Sequence, residues 1–236
     1  MSGAFLKKIA VWTMLVDHLG AAFFVIYTST YDGVADFAGA DVLYNFLRIV
    51  GRTAFPIFCF LISEGAIHTR SKVKYALRLL VFALISEIPF DLAFFNQVWA
   101  MERQNVFFTL LLGFLSLVAL EKMKRAGEAE GKWKLLKLGA WFAVVGICPV
   151  LAYVLRTDYE YAGVFLIMIF YLWRENRGLA CLCGYLCMMY EAWCFPAFVL
   201  LYFYNGEKGK AGKYFYYVFY PAHLIVLFML RIVCIN

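Results

Sequence analysis

Long apolar runs separated by short charged clusters organise this chain, and they set its solvent before any single residue is considered. A helix crossing the hydrocarbon core needs about 20 mostly apolar residues, each rising about 1.5 Å. Six runs have that pattern: 8–28, 43–65, 73–90, 105–121, 134–155 and 214–232. A further apolar tract, 160–204, is cut by Arg174-Glu175-Asn176-Arg177 and more weakly at Glu191. Dividing it there gives three short spans, 160–173, 178–190 and 192–204. The prediction is an all-α polytopic membrane bundle of about nine helices, a single domain over 1–236. A seven-span version, with part of 160–190 re-entrant, keeps the same sidedness.

Cytoplasmic loops carry an excess of Lys and Arg, so the placement of charge orients the spans. With nine spans and the N-terminus inside, 17 of the 22 basic residues fall on inner segments. They group as Lys7 and Lys8, then Arg70–Arg78, then 122–137, then Arg174 and Arg177, then 208–213. Only Arg103, Arg156 and Arg231 fall outside, and Arg48 and Arg52 lie within the second span. Eight of the 16 acids are outer. Merging 178–204 into one helix would strand Lys208, Lys210 and Lys213 on the wrong face. The expected location is the cytoplasmic (inner) membrane.

Composition agrees with a lipid environment: 64% of residues are hydrophobic and 16% charged, against about 45–50% and 25% in soluble domains. The net charge of +6 forms no basic face, which argues against a nucleic-acid partner. Lys7 and Lys8 before an apolar run imitate a signal peptide, but Asp17 and His18 interrupt the core and no clear cleavage site follows. A retained first span is expected. The seven cysteines lack a paired C-x-x-C with a nearby His, so buried free thiols are expected and no metal.

Charged groups at membrane depth cost at least about 2.5–3.5 kcal/mol each on insertion scales and mark function by default. His18, ten residues beyond Lys8, lies about 15 Å from the inner face; His223, ten beyond Lys213, has a similar depth. Arg48 and Arg52 share one face of the second span and enter from the outer side. Glu87 and Asp91 flank Pro89, which should kink or end the third span. Pairing of Arg52 with Asp17 or Glu87 to neutralise charge would account for some of these groups without chemistry. Glu64 and His68, at i and i+4, form a candidate local pair at the cytoplasmic entrance. The basic loop from His68 through Arg70 to Arg78 suits the phosphates of a nucleotide-like donor, although topology alone explains its charge.

Several stretches together resemble the TraX family, membrane proteins named for acetylation of conjugative pilin. They are Val16-Asp17-His18-Leu19-Gly20, Arg48-Ile49-Val50-Gly51-Arg52-Thr53-Ala54-Phe55-Pro56 and Leu61-Ile62-Ser63-Glu64-Gly65, then Leu84-Ile85-Ser86-Glu87-Ile88-Pro89-Phe90-Asp91. Gln104-Asn105-Val106-Phe107-Phe108-Thr109-Leu110, Thr157-Asp158-Tyr159 and Tyr220-Pro221-Ala222-His223 follow in order. The resemblance implies an acyltransferase related to the wider group of transmembrane acyltransferases. It would take acetyl-CoA or another acyl-CoA from the cytoplasm as donor and act on a peptide amine, sugar, lipid or small-molecule acceptor. By position, His18 is the catalytic candidate, with Asp17, Arg52 and Glu87 beside it. Arg48, Glu64, His68, Arg70, Asp91, Asn105, Asp158, Tyr159 and His223 are candidates for binding donor or acceptor. Glu160 stands where the family commonly has glycine, so the outer loop should differ in shape.

A histidine titrating near neutrality suits removal of the acceptor's proton, and Arg52 or Asn105 could donate to the oxyanion. Direct transfer and an acyl-histidine relay both fit. The rival class is a proton- or ion-coupled transporter, which also uses buried His, Asp, Glu and Arg.

Overall fold

The structure, a computed structural model, describes residues 1–24, 40–128, 134–210, 212 and 215–235. It is all-helical, with no strand among the described residues. Asp32, Asp36, Lys132 and Lys213, used above for sidedness, and residues 25–28 of the first expected span lie outside them.

Among the described residues ten α-helices follow in order: α1 Gly3–His18, α2 Ala40–Gly51, α3 Ala54–His68, α4 Lys72–Phe95, α5 Val106–Glu128, α6 Lys134–Val154, α7 Glu160–Leu172, α8 Arg177–Cys187, α9 Phe195–Tyr202 and α10 Phe215–Ile235. A π-helical turn, Leu19–Phe24, continues α1, and a 3₁₀ segment, Met189–Cys194, precedes α9. Among the described residues four stretches are long and apolar enough to cross a membrane: Asp41–His68, Val106–Ala126, Lys134–Val154 and Phe215–Val233. That is fewer than the nine expected full spans. In the 160–204 tract α7 has 13 residues and α8 has 11, about 20 Å or less at 1.5 Å each, short of a hydrocarbon core of about 30 Å.

Two details depart from the sequence pattern. The apolar run 43–65 is two helices, because the chain turns at Arg52 and Thr53. There the bonds tighten to the i−3 kind: Arg52 N–H reaches both Arg48 and Ile49 carbonyls, and Thr53 N–H reaches Val50. Pro89 does not end its helix, since α4 runs on to Phe95.

The chain groups into two compact units. The first comprises Met1–Phe58, Leu84–Ala100 and Met189–Asn236; the second comprises Cys59–Ala83 and Met101–Met188. In the first, Ser2 caps α1 by accepting from Phe5 N–H. Gly3 and Ala4 N–H donate to the Glu207 and Lys208 carbonyls at 2.7 and 2.9 Å, so the free donors of the first turn are satisfied. The α1–α2 contact depends on Gly51: a Cβ there would stand 2.1 Å from that of Asp17. Small residues permit such close approach of helices in membranes.

In the second unit a Cβ on Gly113 of α5 would meet Ile167 of α7 at 2.3 Å. Val164, Leu166 and Ile167 are fully buried there, whereas Leu135, Phe142, Val150 and Val154 of α6 are widely exposed. Such an apolar exterior on one helix suits hydrocarbon, where it carries no hydration penalty.

Candidate functional site

Three helices of the first unit bring charged and titratable side chains together. α1 ends on Asp17 and His18, α2 ends with Arg48 facing it, and α10 presents His223 nine residues in. His18 Nδ1 lies 2.7 Å from His223 Nε2. The rings are nearly parallel, 8° apart, with centroids at 5.0 Å. His223 is buried, and its Nδ1 lies 2.8 Å from the Phe219 carbonyl one turn back. Phe94 and Tyr220 present edges to the His18 ring at 5.3 and 6.0 Å, so aromatic walls hold the imidazole in place. His18 itself stays partly accessible.

Beside the histidines, Arg48 Nη1 donates to Asp17 Oδ2 at 2.8 Å. Asp17 is thereby committed to an arginine, and its Oδ1 is buried without a hydrogen-bond partner. The four groups Asp17, His18, Arg48 and His223 are the sequence candidates that the fold assembles. Arg52, one turn beyond Arg48, takes a different carboxylate: its Nε meets Glu191 Oε2 at 2.9 Å. In the sequence Glu191 divides the 160–204 tract and counts as an outer acid, and it is not among the candidate site residues. Its signal was present, as the lone charge in the 178–204 apolar tract. The 3₁₀ segment breaks at this residue, with φ −117° and ψ 56°.

Glu87 and Asp91, also in the first unit, are buried. Asp91 Oδ2 accepts from Ala100 N–H at 2.8 Å and so folds the 96–100 loop back on the end of α4.

The remaining candidates lie in the second unit and serve local structure. Asn105 is fully buried. Its Nδ2 donates to the Ala83 carbonyl at 2.8 Å, and its Oδ1 accepts from Phe107 N–H at 3.0 Å, capping α5. The structure thus places the amide considered in the sequence for the oxyanion at the start of α5. The Asp158 carboxylate lies 3.7 Å from Arg103, and its backbone N–H donates to Gln104. Thr109 bonds both the Thr157 hydroxyl, at 2.9 Å, and the Asp158 carbonyl. Tyr159 and Glu160 have φ of 62° and 42°, a left-handed region in which glycine is favoured.

At the expected cytoplasmic entrance Glu64 lies 3.8 Å from His68, whose side chain is exposed. Arg70 is exposed. Lys72 and Arg125 both bind Glu121, at 2.8 and 2.6 Å, and Lys72 also donates to the Ala66 carbonyl. Among the described residues no group of three His, Cys, Asp or Glu side chains comes together to hold a metal ion. Six cysteines are free thiols, four of them buried.

Among the described residues, an all-helical fold with four stretches long and apolar enough to cross a membrane, and a paired histidine beside ion pairs, defines a class, helical membrane proteins. Comparison narrows the class. A family model described as TraX protein matches residues 2–231, and the chain belongs to this family. It is also similar to a protein named "Probable fimbrial assembly protein FimC, serogroup H1" of Dichelobacter nodosus, with 29% identity over 94% of this chain and 92% of that protein. No solved structure matches the chain.

Proposed function

We propose that the protein is a membrane-embedded acyltransferase, moving an acetyl or other short acyl group from cytoplasmic acyl-CoA to an amine or hydroxyl acceptor. The observation that carries this reading is the 2.7 Å contact between the His18 and His223 imidazoles. Two neutral rings in hydrogen-bond contact inside a helical bundle supply a proton acceptor with a second ring behind it, which acyl transfer requires. Membership of the TraX family and similarity to a protein named for fimbrial assembly support a pilus-type or surface protein as the class of acceptor.

CoA is charged and too large to cross the bilayer. In this reading its pantetheine arm enters from the basic inner side, and the acceptor arrives from the membrane or outer face. The nine-segment arrangement with the N-terminus inside rests on the sidedness of the basic residues, with α7 and α8 as short segments. As the acceptor attacks the thioester carbonyl, His18 takes its proton; the C–S bond breaks, and the thiolate leaves and is protonated to the thiol. An acyl-histidine intermediate at the same nitrogen is the two-step version. The arginines are already paired with Asp17 and Glu191, so the positive charge near the reaction is fixed in place and needs no reorganisation.

Thermal unfolding of the detergent-solubilised protein with and without acetyl-CoA tests the reading. Stabilisation that grows with acetyl-CoA concentration is expected. Absence of stabilisation, with pH-driven ion flux in proteoliposomes, would establish the transporter class instead.

A further inference from the structure

The hydrogen-bond chain through the two histidines assigns its own protons. A carbonyl oxygen only accepts, so the His223 Nδ1 that faces the Phe219 carbonyl at 2.8 Å carries hydrogen. A neutral imidazole has one N–H, which leaves His223 Nε2 with a lone pair. That lone pair faces His18 Nδ1 at 2.7 Å, so His18 Nδ1 must be the donor. By the same count His18 Nε2 is unprotonated, and among the described residues it receives no hydrogen bond.

We propose that His223 is a positioning residue that fixes His18 as its Nδ1–H tautomer, so that Nε2 is the nitrogen that meets the substrate. The proposal rests on the acyl-transfer reading above and adds to it a specified nitrogen and a second residue. Backbone geometry makes the assignment one-way: the Phe219 carbonyl belongs to the same helical turn as His223 and cannot turn into a donor. His18 Nε2 then accepts the proton of the attacking amine or hydroxyl as the new bond to the thioester carbonyl carbon forms. The C–S bonding pair leaves on sulfur, and the proton passes from Nε2 to that sulfur. While His18 is cationic, its Nδ1–H to His223 Nε2 becomes charge-assisted and strengthens, so the second ring stabilises the charge that develops on the first. The arrangement is that of a base oriented by a third group, with an imidazole in the place often held by a carboxylate. Asp17, the neighbour that might have filled that place, is held by Arg48 at 2.8 Å.

The chain has three histidines, so ¹⁵N-histidine labelling gives three imidazole spin systems, assigned from the spectra of single-histidine variants. In the wild type, solid-state NMR should find neutral Nδ1–H tautomers at both His18 and His223. In His223→Gln the amide oxygen can occupy the Nε2 position and still accept from His18, whereas in His223→Ala nothing does. CoA thiol release from acetyl-CoA, in membranes containing equal amounts of folded protein, should fall about 100-fold in H223A. H223Q should recover to within about tenfold of wild type, with the His18 tautomer retained. A wild type without transfer activity would count against the acyltransferase reading. The present proposal is overturned by an Nε2–H on His18 in the wild type, or by H223A turning over at the wild-type rate in a protein that does transfer.

Discussion

The two units use polar side chains in opposite ways. In the first, side chains from separate helices meet each other: His18 with His223, Arg48 with Asp17, Arg52 with Glu191. In the second, the buried polar groups mostly serve the backbone: Asn105 caps α5, and Thr109 and Asp158 tie the 156–160 turn to the start of that helix. Satisfying a backbone group stiffens a fold and leaves the side chain nothing further to do. A side chain held only by another side chain keeps lone pairs or protons for exchange, as His18 Nε2 does. Both units carry candidate residues read from the sequence, so such a residue in this chain is as readily a structural tie as a reactive group.

That contrast can be broken by substitution. The largest effect on folding is expected for Glu191→Ala, which takes from the half-buried Arg52 guanidinium its Glu191 carboxylate; about 2–3 kcal/mol of stability should be lost, read from thermal unfolding in detergent. Replacing both Arg52 and Glu191 with Gln should recover part of it, and the double-mutant cycle should give a coupling of about 0.5–3 kcal/mol. Gly51→Ala should cost about 1–3 kcal/mol by overpacking α2 against Asp17, and should lower acyl transfer as well, since Asp17 anchors Arg48 beside His18. Asn105→Ala should cost a similar 1–2 kcal/mol or so through the lost cap, yet leave turnover per folded molecule unchanged. Loss of turnover in N105A at unchanged stability would erase the distinction between the units. The smallest effect is a gain: Glu160→Gly relieves a left-handed residue and should add about 1 kcal/mol or less, seen as a modest rise in midpoint.

Much of this was legible in the sequence, and the physical reasons differ from residue to residue. His18 and His223 each follow a basic anchor by ten residues, so rise per residue alone set them at one depth, and the structure brings them into contact. That Asp17 pairs with an arginine of the second span was readable, because buried charges are paired, but the arginine expected was Arg52 and the partner is Arg48. The partner of Arg52 was not: Glu191 is 139 positions away, and although its charge marks the break in the 160–204 tract, nothing in the pattern says which helix that break meets. Pro89 inside α4 and the turn at Arg52-Thr53 inside one apolar run show the same limit: apolar patterning fixes what lies in lipid and is silent on where the backbone bends. The local duties of Asn105 and Asp91 were hidden for another reason. Amides and carboxylates cap and oxyanion-bind with the same atoms, and only coordinates tell which backbone N–H they reach.

The central claim is that His18 handles the acyl group's transfer, and incubation of radiolabelled acetyl-CoA with membranes containing wild-type protein or His18→Ala tests it most directly. Wild type should release CoA and pass label to a membrane acceptor, while H18A, inserted to the same level, should fall by at least about 100-fold. Retained turnover in H18A would contradict the account.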